Sequence, residues 1–168
     1  TQELYVDAIL NSFRLGLTVA VISTVLTTIA ARFYRHVRYK NAYILFMTLP
    51  LFVPGDTHAI SVAVFAREVG ISLSFWTVAA AHVFYVFPFA FLMVLATMAG
   101  LPQNIVSAAE DLGANEFRAF WDVELPMVMD GVISGFLVSF LLSLNEAPRA
   151  SVLGGQFEVP PVLVGDDL

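Results

Sequence analysis

Long apolar stretches without charge constrain this chain more than any other feature. Residues 15–31 contain no charged side chain, and neither do residues 70–100. A helix needs about 20 apolar residues to cross the hydrocarbon core of a bilayer. Of the whole chain, 58% is hydrophobic and only 13% is charged, whereas soluble domains carry roughly a quarter charged residues. The sequence therefore predicts an integral membrane protein.

Four segments are candidates for membrane-spanning helices. They are residues 11–31, 41–66, 70–100 and 131–145. The second contains Pro50 and Pro54, the third contains Pro88, and the fourth reaches spanning length only if residues 126–129 belong to it. A short apolar stretch at 159–164 would begin another. We therefore expect an all-α polytopic helix bundle with about four to five spans, forming one membrane domain over residues 1–168.

The basic residues predict how this bundle is oriented. Arg32, Arg35, Arg38 and Lys40 crowd the connection at residues 32–40. Positive residues are retained on the cytoplasmic side, so this loop is expected inside the cell. Two crossings later, residues 101–126 fall on the same side. We expect a multi-pass protein of the plasma membrane, either the bacterial inner membrane or an archaeal cell membrane.

The second cytoplasmic segment, residues 101–126, is called the interhelical segment below. Its charged residues are mostly acidic: Glu110, Asp111, Glu116, Asp122 and Glu124, against Arg118 alone. Acidic side chains do not bind anionic lipid, so a protein partner explains them better. Because basic runs are absent apart from the first loop, we expect no nucleic-acid partner.

The interhelical segment has the pattern of two short helices. Pro102 suits the start of the first helix, and Gly113 falls where a left-handed residue ends it. Asn115 can cap the second helix, on which Phe117, Phe120 and Trp121 share one face. Two interpretations stay open: these aromatic residues lie in the membrane interface, or they fit a groove on a soluble subunit.

The same segment resembles the cytoplasmic signature of ABC-transporter permease subunits that work with a binding protein. Ala108 and Ala109, then Gly113 after three residues, and Leu125-Pro126 at the end match that signature, as does the branched Val123. Ser107 stands where the family usually has glutamate. The resemblance therefore implies the shape of the segment, without an ion pair from position 107.

The resemblance extends over nearly the whole chain and is closest to the spermidine/putrescine-type permeases. Residues 11–15, 54–56, 60–61, 113–117 and 141–146 are similar to stretches of that family. Its members commonly have six spans, in the architecture of type I importers. The resemblance implies that this chain is a fragment that lacks the first span and most of the last.

For function, the resemblance implies a permease subunit of an ATP-driven importer. Such a subunit translocates a solute, here a polyamine, that an extracytoplasmic binding protein delivers. Its partners are ATP-binding cassette subunits, which bind ATP and Mg²⁺, and a second permease subunit in a homo- or heterodimer, all within membrane lipid. The resemblance implies that the interhelical segment transmits motion from the ATPase subunits to the membrane spans. The residues implied in this coupling lie at signature positions or on the aromatic face of the segment: Ser107, Ala108, Ala109, Gly113, Phe117, Leu125 and Pro126.

This chain itself is expected to be neither an enzyme nor a holder of cofactors. It has no phosphate-cradling loop of the Gly-x-x-x-x-Gly-Lys-Ser/Thr type. It has no cysteine, and its three histidines lack metal-ligand spacing, so we expect no catalytic residues and no metal site. His82 and Tyr85, like the hydroxyl residues Ser23, Thr24, Thr27 and Thr28, are expected to make contacts between helices.

Three polar residues, one inside the predicted second span and two at the end of the fourth, are candidates for the substrate pathway. Polar groups at membrane depth are costly and often mark such a pathway. Asp56 follows Pro54 in the broken second span, and Asn145 with Glu146 ends the fourth. Carboxylates at these positions would attract the ammonium groups of a polyamine. The alternative is that they lie at the outer interface and face solvent.

Other functions remain as alternatives. The same family imports other small solutes, such as ferric ion, thiamine or an organic anion. A secondary transporter often has internal repeats, which are not evident here. A membrane-embedded enzyme would need convergent nucleophile, base or metal ligands, which the scattered histidines do not provide.

Overall fold

The regular elements of the described chain are all helical. The computed structural model describes residues 2–72 and 74–145. Its helices are α1 (Gln2–Phe33), α2 (Lys40–Thr48), α3 (Gly55–Glu68), α4 (Phe75–Gly100), α5 (Gln103–Asp111), α6 (Glu116–Ala119), α7 (Leu125–Met127) and α8 (Met129–Leu144). Short 3₁₀ turns at Tyr34–His36 and Leu49–Phe52 and a π turn at Phe120–Glu124 connect them. The predicted all-α membrane bundle is confirmed.

Helices α1, α4 and α8 form the centre of the bundle. Near one end, Leu15 and Val19 of α1 pack with Val78 and Val86 of α4. At the other end, Ala31 lies in the same buried cluster as the later residues of α4. Helices α1 and α4 therefore run in parallel, and α8 returns antiparallel to both.

Buried polar pairs hold these three helices in register. His82 Nδ1 lies 3.0 Å from Ser143 Oγ, and Ser139 Oγ donates to Ser23 Oγ at 3.3 Å. The predicted interhelical contacts of His82 and Ser23 are thus confirmed. Thr24 and Thr28 are buried as well, but their hydroxyl groups donate to carbonyl oxygens of α1 itself. A hydroxyl group in a membrane helix has few other partners, which is why these two bond within α1. Thr24 and Thr28 therefore contribute packing surface rather than hydrogen bonds between helices.

Small residues allow α8 to approach α4 very closely. Gly131, Gly135, Ser139 and Ser143 recur at every fourth position and are all buried. A Cβ atom on Gly131 would overlap the Thr97 side chain and lie 3.0 Å from the Met93 carbonyl oxygen. Such a stripe of small residues lets helix backbones pack directly against each other.

The second predicted span is not one continuous helix. The chain passes through α2, the 3₁₀ turn and α3, with Pro50 inside the turn and Pro54 at the N-cap of α3. Proline cannot donate the backbone hydrogen bond that a continuous helix needs, so two prolines four residues apart divide the segment. In contrast, Pro88 lies inside α4 without ending it.

The fourth predicted span also differs from expectation. Helix α8 begins at Met129 and has 16 residues, and the helical stretch Glu116–Met127 meets it at an angle of 72°. Leu125-Pro126 was expected to start the span, but the break lies at Val128 instead. Within the described residues, two helices, Ile9–His36 and Phe75–Gly100, are long and apolar enough to span a membrane. There are three such helices if Glu116–Met127 and Met129–Leu144 count together as one bent span. This is fewer than the four to five predicted, because breaks divide the remaining segments; residues 159–164 lie outside the described range.

We predict that Gly131→Ala destabilises the bundle by about 1–3 kcal/mol, as insertion of a methyl group into a packed core generally does. The cause is the missing space between α8 and the Thr97 side chain. The unfolding midpoint of the purified protein in detergent measures this effect.

The matched control is Gly100→Ala, since no atom lies within 4 Å of a Cβ atom placed there. This control should be as stable as the wild type or slightly more stable. Equal stability of the two variants would show that α8 does not depend on close approach at Gly131.

Candidate functional site

The interhelical segment forms two short helices that meet at Gly113. Gly113 has a φ of 92°, which side chains rarely allow. Its N–H donates to the Glu110 carbonyl oxygen at 2.9 Å, and the Ala114 N–H donates to the Ala109 carbonyl oxygen at 3.0 Å. These two bonds form a Schellman motif. The predicted glycine C-cap is confirmed, and the angle between the helices is set by backbone hydrogen bonds.

The second helix begins where the sequence predicts. The Asn115 side-chain oxygen accepts a hydrogen bond from the Arg118 N–H at 2.9 Å, as an N-cap residue does. The chain then continues through the π turn and α7 up to Met127. Pro126 lies at the start of α7. The looser π turn comes directly before it, so the lack of a proline N–H costs little hydrogen bonding at this position.

One side of the interhelical segment packs beneath the bundle. Val106 and Ala119 are buried together with Leu101, Met98 and Val128. These apolar contacts connect α5 and α6 to the end of α4 and to the break before α8. The segment is therefore attached to the bundle as a folded unit.

The other side of the segment faces outward and carries apolar residues. Leu112 is 90% exposed, Phe117 70% and Trp121 51%. Ser107 and Ala108 are also exposed, and Ala109 is half-buried. An exposed set of large apolar side chains typically marks a surface for a partner or a membrane. Phe120 was predicted on the same face, but it is half-buried and lies under Arg32. Both interpretations of the remaining face remain compatible with the structure.

A buried carboxylate fixes the segment to the end of α1. Glu124 Oε2 lies 3.5 Å from Arg32 Nε and 3.3 Å from Arg35 Nη1, and the Glu124 side chain is only 5% exposed. Arg32 also donates to the Glu116 carbonyl oxygen at 3.2 Å and stacks over the Phe120 ring at 4.8 Å. Both ion pairs are longer than the usual charge-assisted hydrogen bond, and Glu124 Oε2 accepts no hydrogen bond from either guanidinium group.

These contacts correct one interpretation and support another. Glu124 was grouped with the acidic residues that await a protein partner, but it pairs with arginines of this chain. The same pairing brings residues 32–40 and the interhelical segment to one end of the bundle, as the predicted topology requires. Sequence reasoning missed the pairing because the π turn adds a residue to the turn and rotates Glu124 away from its α-helical position.

The described structure places the backbone of two of the three predicted substrate-pathway residues and leaves the predicted site untested. Asp56 lies in the first turn of α3, and Asn145 follows α8 and is exposed. Glu146 lies outside the described residues. In residues 2–72 and 74–145, the histidine and acidic side chains do not gather into a group of three that could hold a metal.

A cavity of about 830 Å³ opens between α1, the turn after α2 and α4. Its lining is apolar, with Leu26, Phe46, Phe52, Trp76 and Phe87 among the contributing residues. A polyamine carries several ammonium groups, and such a lining has no carboxylate to neutralise them. The cavity is therefore unsuited to a polycation.

We predict that Asn115→Ala weakens the first turn of α6 by about 1 kcal/mol, the usual cost of losing a side-chain N-cap. Hydrogen exchange of the amides of residues 116–119 measures this, and the exchange should accelerate. Asn104→Ala, at an exposed position inside α5, is the control and should leave those amides unchanged. Equal exchange in both variants would contradict the capping role.

Comparison with known proteins adds the following findings. Residues 23–164 match a family described as the binding-protein-dependent transport system inner membrane component. The chain is 30% identical over 167 residues to the spermidine/putrescine transport system permease protein PotC of Haemophilus influenzae, covering 97% of this chain and 65% of that protein. It is 32% identical over 168 residues to PotC of Escherichia coli strain K12, covering 94% and 62% respectively.

A further relative is named for putrescine alone. The chain is 29% identical over 163 residues to the putrescine transport system permease protein PotI of Escherichia coli strain K12. That similarity covers 89% of this chain and 58% of that protein. The chain thus spans less than two thirds of the length of each of these relatives.

Proposed function

The chain belongs to the family of binding-protein-dependent transport system inner membrane components, and on this basis we propose that it is the permease subunit of an ATP-driven importer. In that role it translocates a small solute that an extracytoplasmic binding protein delivers. ATP hydrolysis takes place on separate ATP-binding cassette subunits, which hold ATP and Mg²⁺. The chain itself is a transport subunit and not an enzyme.

The observation that carries this proposal is the form of the interhelical segment. It is folded by a Schellman motif at Gly113 and a cap at Asn115, and it is attached to the bundle by Val106 and Ala119. It also presents Leu112, Phe117 and Trp121 outward. A rigid unit with an exposed apolar face is what a lever needs in order to receive motion from a partner.

The residues assigned to coupling are those predicted from the signature. In this proposal Ser107, Ala108 and Ala109 approach the ATPase subunit closely, because their side chains are small. Gly113 sets the elbow, Phe117 inserts into the partner, and Leu125-Pro126 leads toward α8. Ser107 carries no charge, so the shape of the segment makes the contact rather than an ion pair from that position.

The proposed substrate is a polyamine. The relatives named above are described as spermidine/putrescine and putrescine permeases, and Asp56, Asn145 and Glu146 are proposed to line the pathway and attract ammonium groups. Another small solute, such as ferric ion, thiamine or an organic anion, is the alternative within the same family. The proposed assembly contains two ATPase subunits, a second permease subunit, the binding protein and surrounding lipid.

The experiment that tests the proposal uses the assembled transporter in proteoliposomes. We expect the purified complex to contain this chain, a second permease and ATPase subunits. We also expect ATP hydrolysis to rise when the binding protein is added with spermidine or putrescine, and not with ferric ion or thiamine. Stimulation by one of the other solutes would replace the polyamine, and the absence of any ATP-dependent uptake would refute the importer.

We predict that Gly113→Val lowers the amount of solute transported per ATP or prevents assembly with the ATPase. A β-branched residue at a φ of 92° is strained by about 1–2 kcal/mol, and the elbow relaxes to another angle. Uptake and ATP hydrolysis measured in the same vesicles give the amount of solute transported per ATP hydrolysed, which is the coupling ratio.

Gly70→Val is the matched control for backbone strain. Gly70 also has a positive φ, 74°, and no atom lies within 4 Å of its Cβ position. It follows α3, at the end of the bundle away from the interhelical segment, so this variant should couple normally. Normal coupling in Gly113→Val would show that the elbow angle is not needed.

A further inference from the structure

We propose that Glu124 is a positioning residue that fastens the interhelical segment to α1, so that movement of the segment reaches α1 directly. This inference rests on the proposed function, since it concerns how the segment transmits motion. It assigns a role to three residues that are not fixed positions of the permease signature: Glu124, Arg32 and Arg35.

The segment is joined to the bundle by its covalent start at the end of α4 and by the apolar packing of Val106 and Ala119, and two further routes lead from its second half into the bundle. The covalent route passes through Val128, where the helical stretch from Glu116 to Met127 meets α8 at 72°. A π turn at Phe120–Glu124 lies just before this bend, and both features interrupt a straight helix. A bent connection transmits rotation less directly than a straight one, so an attachment beside the bend helps the segment and the bundle to move together.

The second route is the contact with α1. Arg32 contacts three residues of the segment, through Glu124 Oε2 at 3.5 Å, the Glu116 carbonyl oxygen at 3.2 Å and the Phe120 ring at 4.8 Å. Arg35 adds an ion pair at 3.3 Å. These contacts span most of two helical turns, and together they resist both sliding and rotation of the segment against the end of α1.

Burial makes the ion pairs between the segment and the end of α1 costly to separate. The side chains of Glu124 and Arg35 are 5% and 9% exposed. A buried carboxylate that loses its cationic partners is strongly destabilised, so separation of the segment from α1 is opposed at every step of a cycle. Since α1 packs against both α4 and α8, motion that reaches α1 is distributed to the whole bundle.

The test is Glu124→Gln in the assembled transporter, because glutamine keeps the shape and removes the charge. We expect the complex to assemble and the solute transported per ATP to fall by about threefold to thirtyfold, the range that changes in a coupling network produce. Asp130→Asn is the matched control: Asp130 is an exposed acid at the start of α8, outside the segment, and its removal should leave the ratio unchanged.

Exchange of the charges separates positioning from folding. Glu124→Arg combined with Arg35→Glu keeps one acid–arginine pair across the contact, with Arg32 now beside a like charge, and it should recover part of the lost ratio. If Glu124→Gln fails to assemble, this double variant decides the matter: it must restore assembly and coupling together. Assembly without coupling in the double variant, or a normal ratio in Glu124→Gln, would overturn the proposal.

A second measurement does not depend on transport. The chain has no cysteine, so spin labels can be placed on this subunit at Arg38 and Arg118, both of which are exposed. Glu124→Gln should broaden the distance distribution between these labels, and Asp130→Asn should not. An unchanged distribution in Glu124→Gln would contradict the attachment.

The two proposals fail in different ways. If the wild-type complex shows no ATP-dependent uptake, the importer function is refuted whatever the label distances show. If the wild-type complex transports normally and Glu124→Gln couples as well as it does, only the role of Glu124 is refuted.

Discussion

The fold depends on how closely α8 approaches α4. A Cβ atom on Gly131 would overlap the Thr97 side chain, and one on Gly135 would lie 3.3 Å from the Ala90 carbonyl oxygen; helices in lipid associate mainly by such close packing. This approach places Ser143 against His82 and Ser139 against Ser23, which fixes α1 in the same register. The three-helix centre therefore follows from a stripe of small residues on one helix.

From this centre, the geometry of the interhelical segment follows in turn. The segment starts at the end of α4 and finishes at the start of α8, so their spacing fixes the distance that it must bridge. Gly113 reverses the chain by a Schellman motif, and the bend at Val128 returns it to the bundle. The segment then lies across the end of α1, where Arg32 and Arg35 meet Glu124.

The charges at this end of the bundle serve two purposes at once. The basic residues of the first loop predict the orientation in the membrane, and two of them also pair with a buried acid. The outward face of the segment is left with Leu112, Phe117 and Trp121 exposed. The segment thus combines a charged attachment on the inside with an apolar surface on the outside, which is the arrangement that a lever between a partner and the spans requires.

Much of this protein was determined by the sequence alone. The apolar stretches established a membrane bundle, the spacing around Gly113 and Asn115 predicted the elbow correctly, and the basic loop predicted which two segments share one end. These features are local, since each depends on the intrinsic conformational preferences or charges of residues close together in the chain.

Only the tertiary structure decided the remaining breaks and the long-range pairs. The sequence predicted the broken second span from Pro50 and Pro54, but only the structure showed that Pro88 leaves α4 intact and that a further break lies at Val128. The pairing of Glu124 with Arg32 and Arg35 depends on a π turn, which shifts every later side chain away from its α-helical position. Contacts between residues about 90 positions apart depend on helix register and on small departures from the regular period, and the linear pattern of residues records neither.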